Sequence, residues 1–518
     1  MKKRPFLNLK HLLSTLLIIQ LTSCSSDTET APELPDQTEQ PGNDDDAQGG
    51  ENLPLDTDND GIPDEDDVDD DGDGLIEIFS IDGLNVMRND PNTTGKQMAG
   101  LAKNEFTGFE LTEDFDFENP DHYDDPSLLE SYTTGKGWEP IGFSSDDSFT
   151  EFDGVFEGNG FTISNIYINN TEDFRSSGLF GAAGANSIIR NLTIENVSIT
   201  TESFSVGGLV GTSIGIIEDC VVSGSVEGRN GIGLLVGSFG GISISNCSSF
   251  GEVNGIDLQI GTSTFRSGSV GGLIGSIFYI DNQINPPVSN LITVNNCFSE
   301  ANVKGNWEVG GLIGLIAVDA TPNSYDITIN NSYAIGNVTG TLRTGGLIGG
   351  SSATELSSCF ARGNVINTKN EGRASAGGLI GSNGQGTITS CYATGNVNNA
   401  FNGEYLGGLL GTARSTILTS SYSIGSVNGG LESSNGALVG VNETNLINSI
   451  NETNYWNTDT NMLNTSEGEA IGLTTAQLQS PTSNTGIYAD WDPALWDFGT
   501  SSQYPVLKDM PNGVEVQR

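Results

Sequence analysis

The chain has 518 residues, of which 69 are glycine and 17% are charged, and its formal net charge is −47. Lysine and arginine total 20 against 67 aspartate and glutamate residues, which excludes a nucleic-acid partner because contacts to phosphate need basic side chains. Frequent glycine and β-branched residues favour strands and tight turns over helices.

The first 23 residues have the features of a secretory signal peptide. Basic residues precede an apolar run, Leu12–Leu21, that is too short to span a bilayer as a helix. The run ends in Leu21-Thr22-Ser23-Cys24, which resembles the bacterial lipobox. The resemblance implies cleavage before Cys24 and acylation of this residue, so that a lipid anchors the chain in the bacterial cell envelope, at the outer membrane or the cell surface.

An acidic segment follows the signal peptide. Residues 24–55 are polar, acidic and poor in apolar side chains, which predicts a disordered tether. Residues 56–78 hold two copies of one pattern, with acids at positions 1, 3, 5 and 9 and glycine at position 6. Alternate carboxylates converge on a hard cation when the backbone curls around it, and glycine permits the sharp turn. The predicted Ca²⁺ ligands are Asp56, Asp58, Asp60, Asp64, Asp69, Asp71, Asp73 and Glu77.

The spacing resembles the thrombospondin type 3 calcium repeat and, more loosely, the first half of an EF-hand loop. A solvated acidic linker is the alternative.

Residues 79–150 lack any repeat and are predicted to form an N-terminal cap, because a terminal rung otherwise exposes apolar surface and free strand edges. Within them, Ser80–Met87 predicts a short helix with Ser80 as its N-cap, and Phe109–Thr112 predicts a strand.

Residues 151–455 are organised by a repeated phrase, Gly-Gly-Leu-Ile-Gly in its clearest form at Gly345–Gly349. Nine copies recur at intervals of 26 to 39 residues, which is typical of a repeat architecture. After each copy come an aliphatic residue, two mostly polar residues, and then usually Cys or Ser. The pattern predicts an all-β fold, a parallel β-solenoid of about nine rungs, with a C-terminal cap over residues 456–518.

The Cys-or-Ser position, numbered 0 from here on, and the aliphatic residue at −3 are both predicted to be interior. Strand alternation would put them on opposite faces, so a corner is expected between them. Position 0 is assigned to Leu192, Cys220, Cys247, Cys297, Ser332, Cys359, Cys391, Ser421 and Ser449. Its cysteines are interpreted as small buried residues, with a Cys220–Cys247 disulfide as the alternative.

These phrases resemble the GLUG-motif proteins. The acid-rich Asp71–Ile78, the phrase at Phe156–Ile163, the nine copies and the closing Trp496–Leu507 fit that pattern. The resemblance implies a bacterial surface protein, often classed as an adhesin; such repeats also lie beside the catalytic unit of IgA-specific metallopeptidases. That peptidase is missing here, because the sequence has no His-Glu-x-x-His and its histidines are His11 and His122.

Position +1 is aromatic in five consecutive rungs, and alternation points these side chains out of the coil: Phe298, Tyr333, Phe360, Tyr392 and Tyr422. An outward row of rings suits stacking on sugars or on a partner surface; the alternative is a structural stack covered by other segments. The sequence therefore predicts a non-enzymatic adhesion or extracellular ligand-binding protein whose partner is a neutral glycan or a protein. The rival interpretation is an extracellular polysaccharide-active β-helix enzyme, a lyase or hydrolase, which an aligned trio of acids in one groove would favour.

Overall fold

A computed structural model of the chain describes a large part of the predicted caps and repeats, all within one compact unit, Pro54–Arg518. The described residues are 69–89, 107–144, 149–170, 176–260, 263–278, 291–317, 326–399, 401–429, 434–443, 450–480 and 486–513. The predicted signal peptide, Cys24, the tether and the first acidic copy (Asp56, Asp58, Asp60 and Asp64) lie outside them. Among the described residues, no helix is both long enough and apolar enough to cross a lipid bilayer.

The chain winds into a β-solenoid, as predicted, and each turn passes in order through four parallel sheets that we number 1 to 4. Sheet 1 contains Leu75–Ile78, Gly108–Leu111, Val155–Glu157, Ile188–Arg190, Ile216–Glu218, Ser243–Ser245, Leu291–Asn295, Asp326–Asn330, Glu355–Ser357, Gly386–Thr389 and Thr416–Thr419. Sheet 2 contains Phe115–Asp116, Thr162–Ser164, Tyr167–Asn170, Thr193–Thr201, Val221–Gly228, Ser248–Gly255, Phe298–Ser299, Asn302–Lys304, Tyr333–Ala334, Val338–Gly340, Phe360–Ala361, Val365–Asn367, Tyr392–Ala393, Val397–Asn399, Tyr422–Ser423, Val427–Asn428, Tyr455–Asn457 and Ile471–Leu473.

Sheet 3 contains Ser176–Ser177, Ser205–Gly207, Asn230–Gly233, Gly268–Gly271, Trp307–Gly310, Leu342–Gly345, Glu371–Gly377 and Asn402–Gly407. Sheet 4 contains Phe180–Ala183, Val210–Ser213, Val236–Phe239, Ile274–Phe278, Ile313–Ala317, Ile348–Ser351, Ile380–Asn383, Leu410–Ala413 and Val439–Asn442. Antiparallel hairpins pair Phe143–Ser144 with Phe149–Thr150, Leu258–Ile260 with Ser263–Phe265, and Trp496–Asp497 with Val506–Leu507. The α-helices are Ile81–Asn89, Leu129–Thr133 and Thr475–Leu478, and the 3₁₀ helices are Pro120–His122, Pro126–Leu128, Gly486–Tyr488 and Pro511–Gly513.

The corner between positions −3 and 0 is confirmed. Ile388 and Cys391 are both buried, and Ser390 between them is left-handed with φ 52°. The same conformation, with φ between 47° and 54°, occurs before every described position-0 residue of the repeat from Leu192 to Ser421: Asn191, Asp219, Asn246, Asn296, Asn331, Ser358, Ser390 and Ser420. Asn and Asp tolerate this region better than most side chains, which explains the polar pairs in the sequence.

The side chain at position 0 closes this corner with a hydrogen bond. Cys391 Sγ donates to the Thr389 carbonyl at 3.2 Å, and Ser421 Oγ donates to the Thr419 carbonyl at 2.8 Å. A small donor fits this corner, and seven of the eight described position-0 residues from Leu192 to Ser421 are Cys or Ser. All five described thiols are buried and free, so the disulfide alternative is wrong.

The Gly-Gly-Leu-Ile-Gly phrase forms the corner between sheets 3 and 4. A Cβ on Gly346 would lie 2.1 Å from the Gly378 carbonyl oxygen, and one on Gly349 would lie 2.4 Å from the Val309 nitrogen. Backbone of the adjacent rungs thus occupies the space of a side chain. Each of the nine copies leads into one of the nine strands that sheet 4 has among the described residues, so each copy marks one rung.

The predicted start of the solenoid at residue 151 needs correction. The parallel ladder starts at Leu75–Ile78 and Gly108–Leu111 rather than at residue 151, so part of the predicted N-terminal cap is solenoid. The predicted helix is present as Ile81–Asn89, and Ser80 Oγ accepts a hydrogen bond from the Gly83 nitrogen at 3.2 Å.

The last rung is also shifted from its predicted register. Ile450 pairs with Leu418 and Tyr455 with Tyr422, which puts Asn454 at position 0. The Asn454 side-chain oxygen accepts a hydrogen bond from the Ser421 nitrogen at 3.1 Å. Ser449, assigned to this position from the sequence, lies outside the described residues; one extra residue in the corner hides the true register.

Candidate metal centre

The second acidic copy forms a tight turn where the chain enters sheet 1. Gly74, at position 6 of the pattern, is left-handed with φ 89°, so the sharp turn predicted there is present. The Gly74 nitrogen donates to Asp69 Oδ2 at 3.0 Å, and the Leu75 nitrogen donates to Asp73 Oδ1 at 2.8 Å. The turn therefore holds its aspartates in fixed positions beside the first strand.

Strand pairing adds a column of glutamates to this turn. Glu77 pairs in register with Glu110, and Glu110 pairs with Glu157. The three side chains are each less than a tenth exposed. Three stacked, buried carboxylates repel one another unless cations or protons offset their charge.

The third glutamate has a cation partner. Arg190 Nε donates to Glu157 Oε2 at 2.6 Å, and Asn191 Nδ2 donates to Glu157 Oε1 at 2.9 Å. Glu110 accepts a hydrogen bond from Asn159 Nδ2 at 2.5 Å. The carboxylate charges of Glu77 and Glu110 thus have no such offset among the described contacts.

The carboxylates form two groups that share Asp71. Ligand oxygens of Asp69, Asp71 and Glu77 lie within 4.8 Å of one another, and so do those of Asp71, Asp73 and Glu110. Glu77 Oε1 accepts from the Asp70 nitrogen at 2.9 Å, but its other oxygen, Oε2, is buried without a hydrogen-bond partner in the described part of the chain. A buried carboxylate oxygen without a partner is costly and suits a metal ligand.

Burial also changes the acidity of this cluster. Removal of Glu77 from water, with a contribution from nearby Asp70, raises the pKa of Glu77 to about 8. Burial raises the pKa of Glu110 and of Asp69 as well, and the neighbouring aspartates add to both shifts. Without a cation, Glu77 therefore holds its proton near neutral pH. A divalent ion bound there would displace it.

The oxygen-only donor set fits Ca²⁺, which takes six to eight oxygen ligands, better than it fits metals that prefer nitrogen or sulfur. Four predicted ligands, Asp69, Asp71, Asp73 and Glu77, are brought together here. Sequence reasoning missed Glu110, although a signal was present: an apolar residue followed by Glu recurs at the same strand position in Ile76-Glu77, Phe109-Glu110 and Phe156-Glu157.

The aromatic row needs a correction. Its rings leave the coil interior and stack in order, with centroid distances of 4.8 to 5.1 Å from Phe298 to Tyr422. They are not exposed, because the most accessible, Phe298, is only 6% exposed. The prediction that Phe298, Tyr333, Phe360, Tyr392 and Tyr422 bind a ligand is wrong, and the alternative of a covered stack is right.

The cover is the C-terminal cap, part of which folds back along sheet 2 instead of only closing the last rung. Trp496 lies 6.0 Å from the Tyr392 ring and Trp491 lies 6.1 Å from the Tyr422 ring. The Tyr422 hydroxyl donates to the Pro505 carbonyl at 2.6 Å. Sequence spacing shows which way a side chain points but not which distant segment packs over it.

Comparisons with known proteins agree with the repeat pattern. Residues 202–227 and 372–398 match the sequence model of a family described as "The GLUG motif". Over 107 residues, 21% of this chain and 1% of the relative, the sequence is 45% identical to "Halomucin" of Haloquadratum walsbyi. It is 38% identical over 116 residues, 22% of this chain and 12% of the relative, to "Putative Gly-rich membrane protein" of Evansella cellulosilytica. The matched segments thus span a small part of both relatives.

A crystal structure named as a putative immunoglobulin A1 protease from Bacteroides ovatus aligns over 84% of this chain and 92% of its own, with 16% identity and a TM-score of 0.35. That score is too low to transfer any property. The matched residues 202–227 and 372–398 each contain one of the glycine corners described above, so these two repeats carry the GLUG motif.

Proposed function

We propose that this protein is a surface-anchored, non-enzymatic β-solenoid lipoprotein used for adhesion or for binding an extracellular ligand, with Ca²⁺ holding its N-terminal end. The observation that carries the proposal is the carboxylate cluster at the start of sheet 1, where buried Glu77 Oε2 has no hydrogen-bond partner in the described part of the chain. An ion bound there would tie the acidic turn to the first two strands. Millimolar extracellular Ca²⁺ suits a site of this kind.

The surface assignment has separate support. The sequence begins with a signal-like segment and a lipobox-like Leu21–Cys24. One relative is named a membrane protein, and the GLUG repeats match. The partners we propose are a membrane, through lipid on Cys24, and a glycan or protein surface ligand.

Membrane fractionation of cells producing the full chain or its Cys24→Ala variant tests the anchor. We expect the variant to leave the membrane fraction, because the acyl chains supply the membrane affinity. Unchanged retention of the variant would contradict the lipoprotein assignment. A Cys220→Ala variant, which removes a buried thiol of the coil, is the matched control.

The Cys24→Ala chain, which keeps all repeats, also suits a binding test on an array of glycans and on whole cells in Ca²⁺-containing buffer. Saturable binding without change to the glycan supports an adhesin or ligand-binding protein. Release of new reducing ends or of unsaturated sugars would instead identify the polysaccharide-active enzyme. Absence of binding to every glycan and cell surface would refute the proposed function.

Titration calorimetry with CaCl₂ tests the ion. We expect binding in the micromolar to millimolar range that is weakened in Glu77→Gln and Glu110→Gln. A Glu118→Gln variant, which changes an exposed acid eight positions after Glu110 that is not part of the cluster, should bind as the unmodified chain does. No heat of binding at millimolar Ca²⁺ would contradict the calcium site.

A further inference from the structure

A groove crosses sheets 3 and 4 and is lined from five successive rungs, on a side of the coil formed by neither the aromatic row nor the carboxylate cluster. It encloses about 640 Å³ and is lined by described residues only. This volume lies within the range of about 300 to 1,000 Å³ that is usual for ligand sites. Arginine side chains from adjacent rungs project along it: Arg343, Arg373 and Arg414.

The local charge differs from that of the whole chain. Arg343 pairs with Glu308 at 2.7 Å, while Glu443 pairs with both Arg373 and Arg414. Three guanidinium groups therefore meet two carboxylates, in a protein with 67 acids and 20 lysines and arginines. The side chains of Arg373 and Arg414 are 71% and 57% exposed, so donors remain accessible from solvent.

The backbone along one wall has an unusual conformation. Arg343, Ser375 and Tyr405 occupy equivalent places in consecutive rungs, and all three are left-handed, with φ of 52°, 42° and 69°. The conformation recurs at Ser269 and Glu308, so it belongs to the repeat as a whole. In the last three rungs it carries side chains that line the groove. Arg373 lies 5.4 Å from the centre of the Tyr405 ring.

The remaining lining is rich in hydroxyl and amide groups. It includes Ser351, Ser352, Ser382, Asn383, Gln385 and Thr412. Hydroxyl and amide groups both donate and accept hydrogen bonds, as sugar hydroxyls require. The face of an aromatic ring such as Tyr405 suits the apolar face of a sugar.

We propose that this groove binds a saccharide that carries carboxylate groups, as uronate-containing oligosaccharides do. Guanidinium groups bind carboxylates through paired, charge-assisted hydrogen bonds. Arg343, Arg373 and Arg414 belong to consecutive rungs, whose strands are about 4.8 Å apart, and lie at different positions along them, so they can contact different parts of one saccharide. The inference rests on the proposed ligand-binding function and names its ligand class, and it replaces the neutral glycan predicted from net charge.

An acidic peptide fits the groove less well. Extended peptides bind sheets by pairing with an exposed strand edge. Leu342–Gly345 and Glu371–Gly377, beneath most of the groove, are each paired on both sides, and only the terminal strand Asn402–Gly407 has an open edge, bridged at Gly407 to Gly436. A peptide would thus have mainly side-chain contacts, whereas a saccharide needs only side chains.

Binding of a fluorescently labelled panel of oligosaccharides containing glucuronate, galacturonate or mannuronate tests the proposal. The Cys24→Ala chain is used in Ca²⁺-containing buffer, and the same oligosaccharides with methyl-esterified carboxylates are the matched probes. We expect the acidic forms to bind at least about tenfold more tightly than the esters, because each charge-assisted hydrogen bond supports roughly that factor. Added salt should weaken this binding.

Variants then locate the site. Arg373→Gln and Arg414→Gln should each weaken binding of the acidic oligosaccharides about tenfold, with little effect on binding of the esters. Arg229→Gln, which changes an arginine stacked on Phe204 away from the groove, is the control. Unchanged thermal unfolding shows that a variant is folded.

Several outcomes overturn the inference. They are equal affinity for acid and ester, unaltered binding by the Arg373→Gln/Arg414→Gln double variant, and no binding of any acidic oligosaccharide at millimolar concentration. Saturable binding to cells or neutral glycans that persists in the double variant would leave the proposed function intact and refute the groove as the binding site. If the chain with unmodified repeats binds neither cells nor any glycan, both the proposed function and the assignment of the groove are refuted.

Discussion

Two columns of like side chains run up the solenoid, and they are stabilised in opposite ways. At the N-terminal end of sheet 1, Glu77, Glu110 and Glu157 stack in register. In sheet 2, rings stack from Phe298 to Tyr422, and Tyr455 takes the next place in the strand register. Parallel, in-register coils bring each residue to about 4.8 Å from its equivalent in the next rung.

This spacing stabilises stacked aromatic rings and destabilises stacked carboxylates. Neighbouring aromatic rings gain contact with each other, and the C-terminal cap then removes their outer edges from water. Neighbouring carboxylates repel, and each one needs a partner from outside the column. Glu157 obtains one from Arg190. Glu77 and Glu110 have an adjacent turn of aspartates instead, an arrangement that bound protons or a cation would make favourable.

The largest expected effect comes from breaking the aromatic column. Tyr392 is fully buried and stacks on Phe360 at 4.9 Å and on Tyr422 at 5.1 Å. Tyr392→Ala should destabilise the protein by about 3–5 kcal/mol, as large-to-small changes at buried aromatics do. The urea midpoint, followed by fluorescence of the cap tryptophans, measures the loss.

Phe401→Ala is the control for this change, because Phe401 is 50% exposed and lies nine residues after Tyr392 in the same turn. We expect it to stay within about 0.5 kcal/mol of the unmodified chain. If Tyr392→Ala and Phe401→Ala lower the stability equally, the cap does not cover the aromatic column.

Removing Ca²⁺ should break the acidic column. If the ion binds only the folded chain, a concentration of one hundred times Kd adds about 2.7 kcal/mol to the free energy of unfolding. EGTA should therefore lower the melting temperature of the unmodified chain and leave that of Glu110→Gln nearly unchanged. Hydrogen exchange should locate the loss of protection in Leu75–Ile78 and Gly108–Leu111. Protection lost evenly along the solenoid would contradict a local ion.

Much of the fold could be predicted because the physics of a repeat is local. The left-handed corners before position 0 favour Asn, Asp or Ser, and close approach of the backbone requires glycine at Gly346 and Gly349. These residues therefore recur at regular positions in the sequence. The predicted ligands Asp69 to Glu77 also share one short turn. Glu110 joins them only through strand pairing across 33 positions of sequence.

What could not be predicted depends on contacts between distant segments. Alternation gave the outward direction of Tyr392 correctly, but Trp496 covers it from more than a hundred residues away. The arginine groove was missed for the same reason, since Arg343, Arg373 and Arg414 approach one another only when three rungs stack. The shift of the last rung arose from a single inserted residue before Asn454.

The acidic column should also depend on pH, and here the effect is smaller because it centres on one group. The pKa of Glu77 is raised to about 8 by burial, so in EGTA its contribution to stability is full below pH 4.5 and is lost as the pH rises toward 8. Bound Ca²⁺ favours the carboxylate, so calcium binding should release protons between those pH values. Calorimetry in buffers of different ionisation enthalpy measures the release. Glu77→Gln should abolish most of it, and Glu118→Gln should not.

The smallest expected effect concerns the column at position 0, which needs neither a cover nor an ion. Cys391 Sγ donates to the Thr389 carbonyl at 3.2 Å, and the Cys391 nitrogen donates to Ser421 Oγ at 3.1 Å. Cys391→Ser keeps a donor and matches Ser421 in the next rung, whereas Cys391→Ala leaves a buried carbonyl with one partner fewer. We expect the Ala variant to be less stable than the Ser variant by about 1 kcal/mol, the usual net value of one hydrogen bond. Thermal unfolding of the two variants measures the difference in stability. Ser332→Ala should lose a similar amount of stability. If the Cys391→Ala variant is as stable as the Cys391→Ser variant, position 0 requires only a small side chain and not a hydrogen-bond donor.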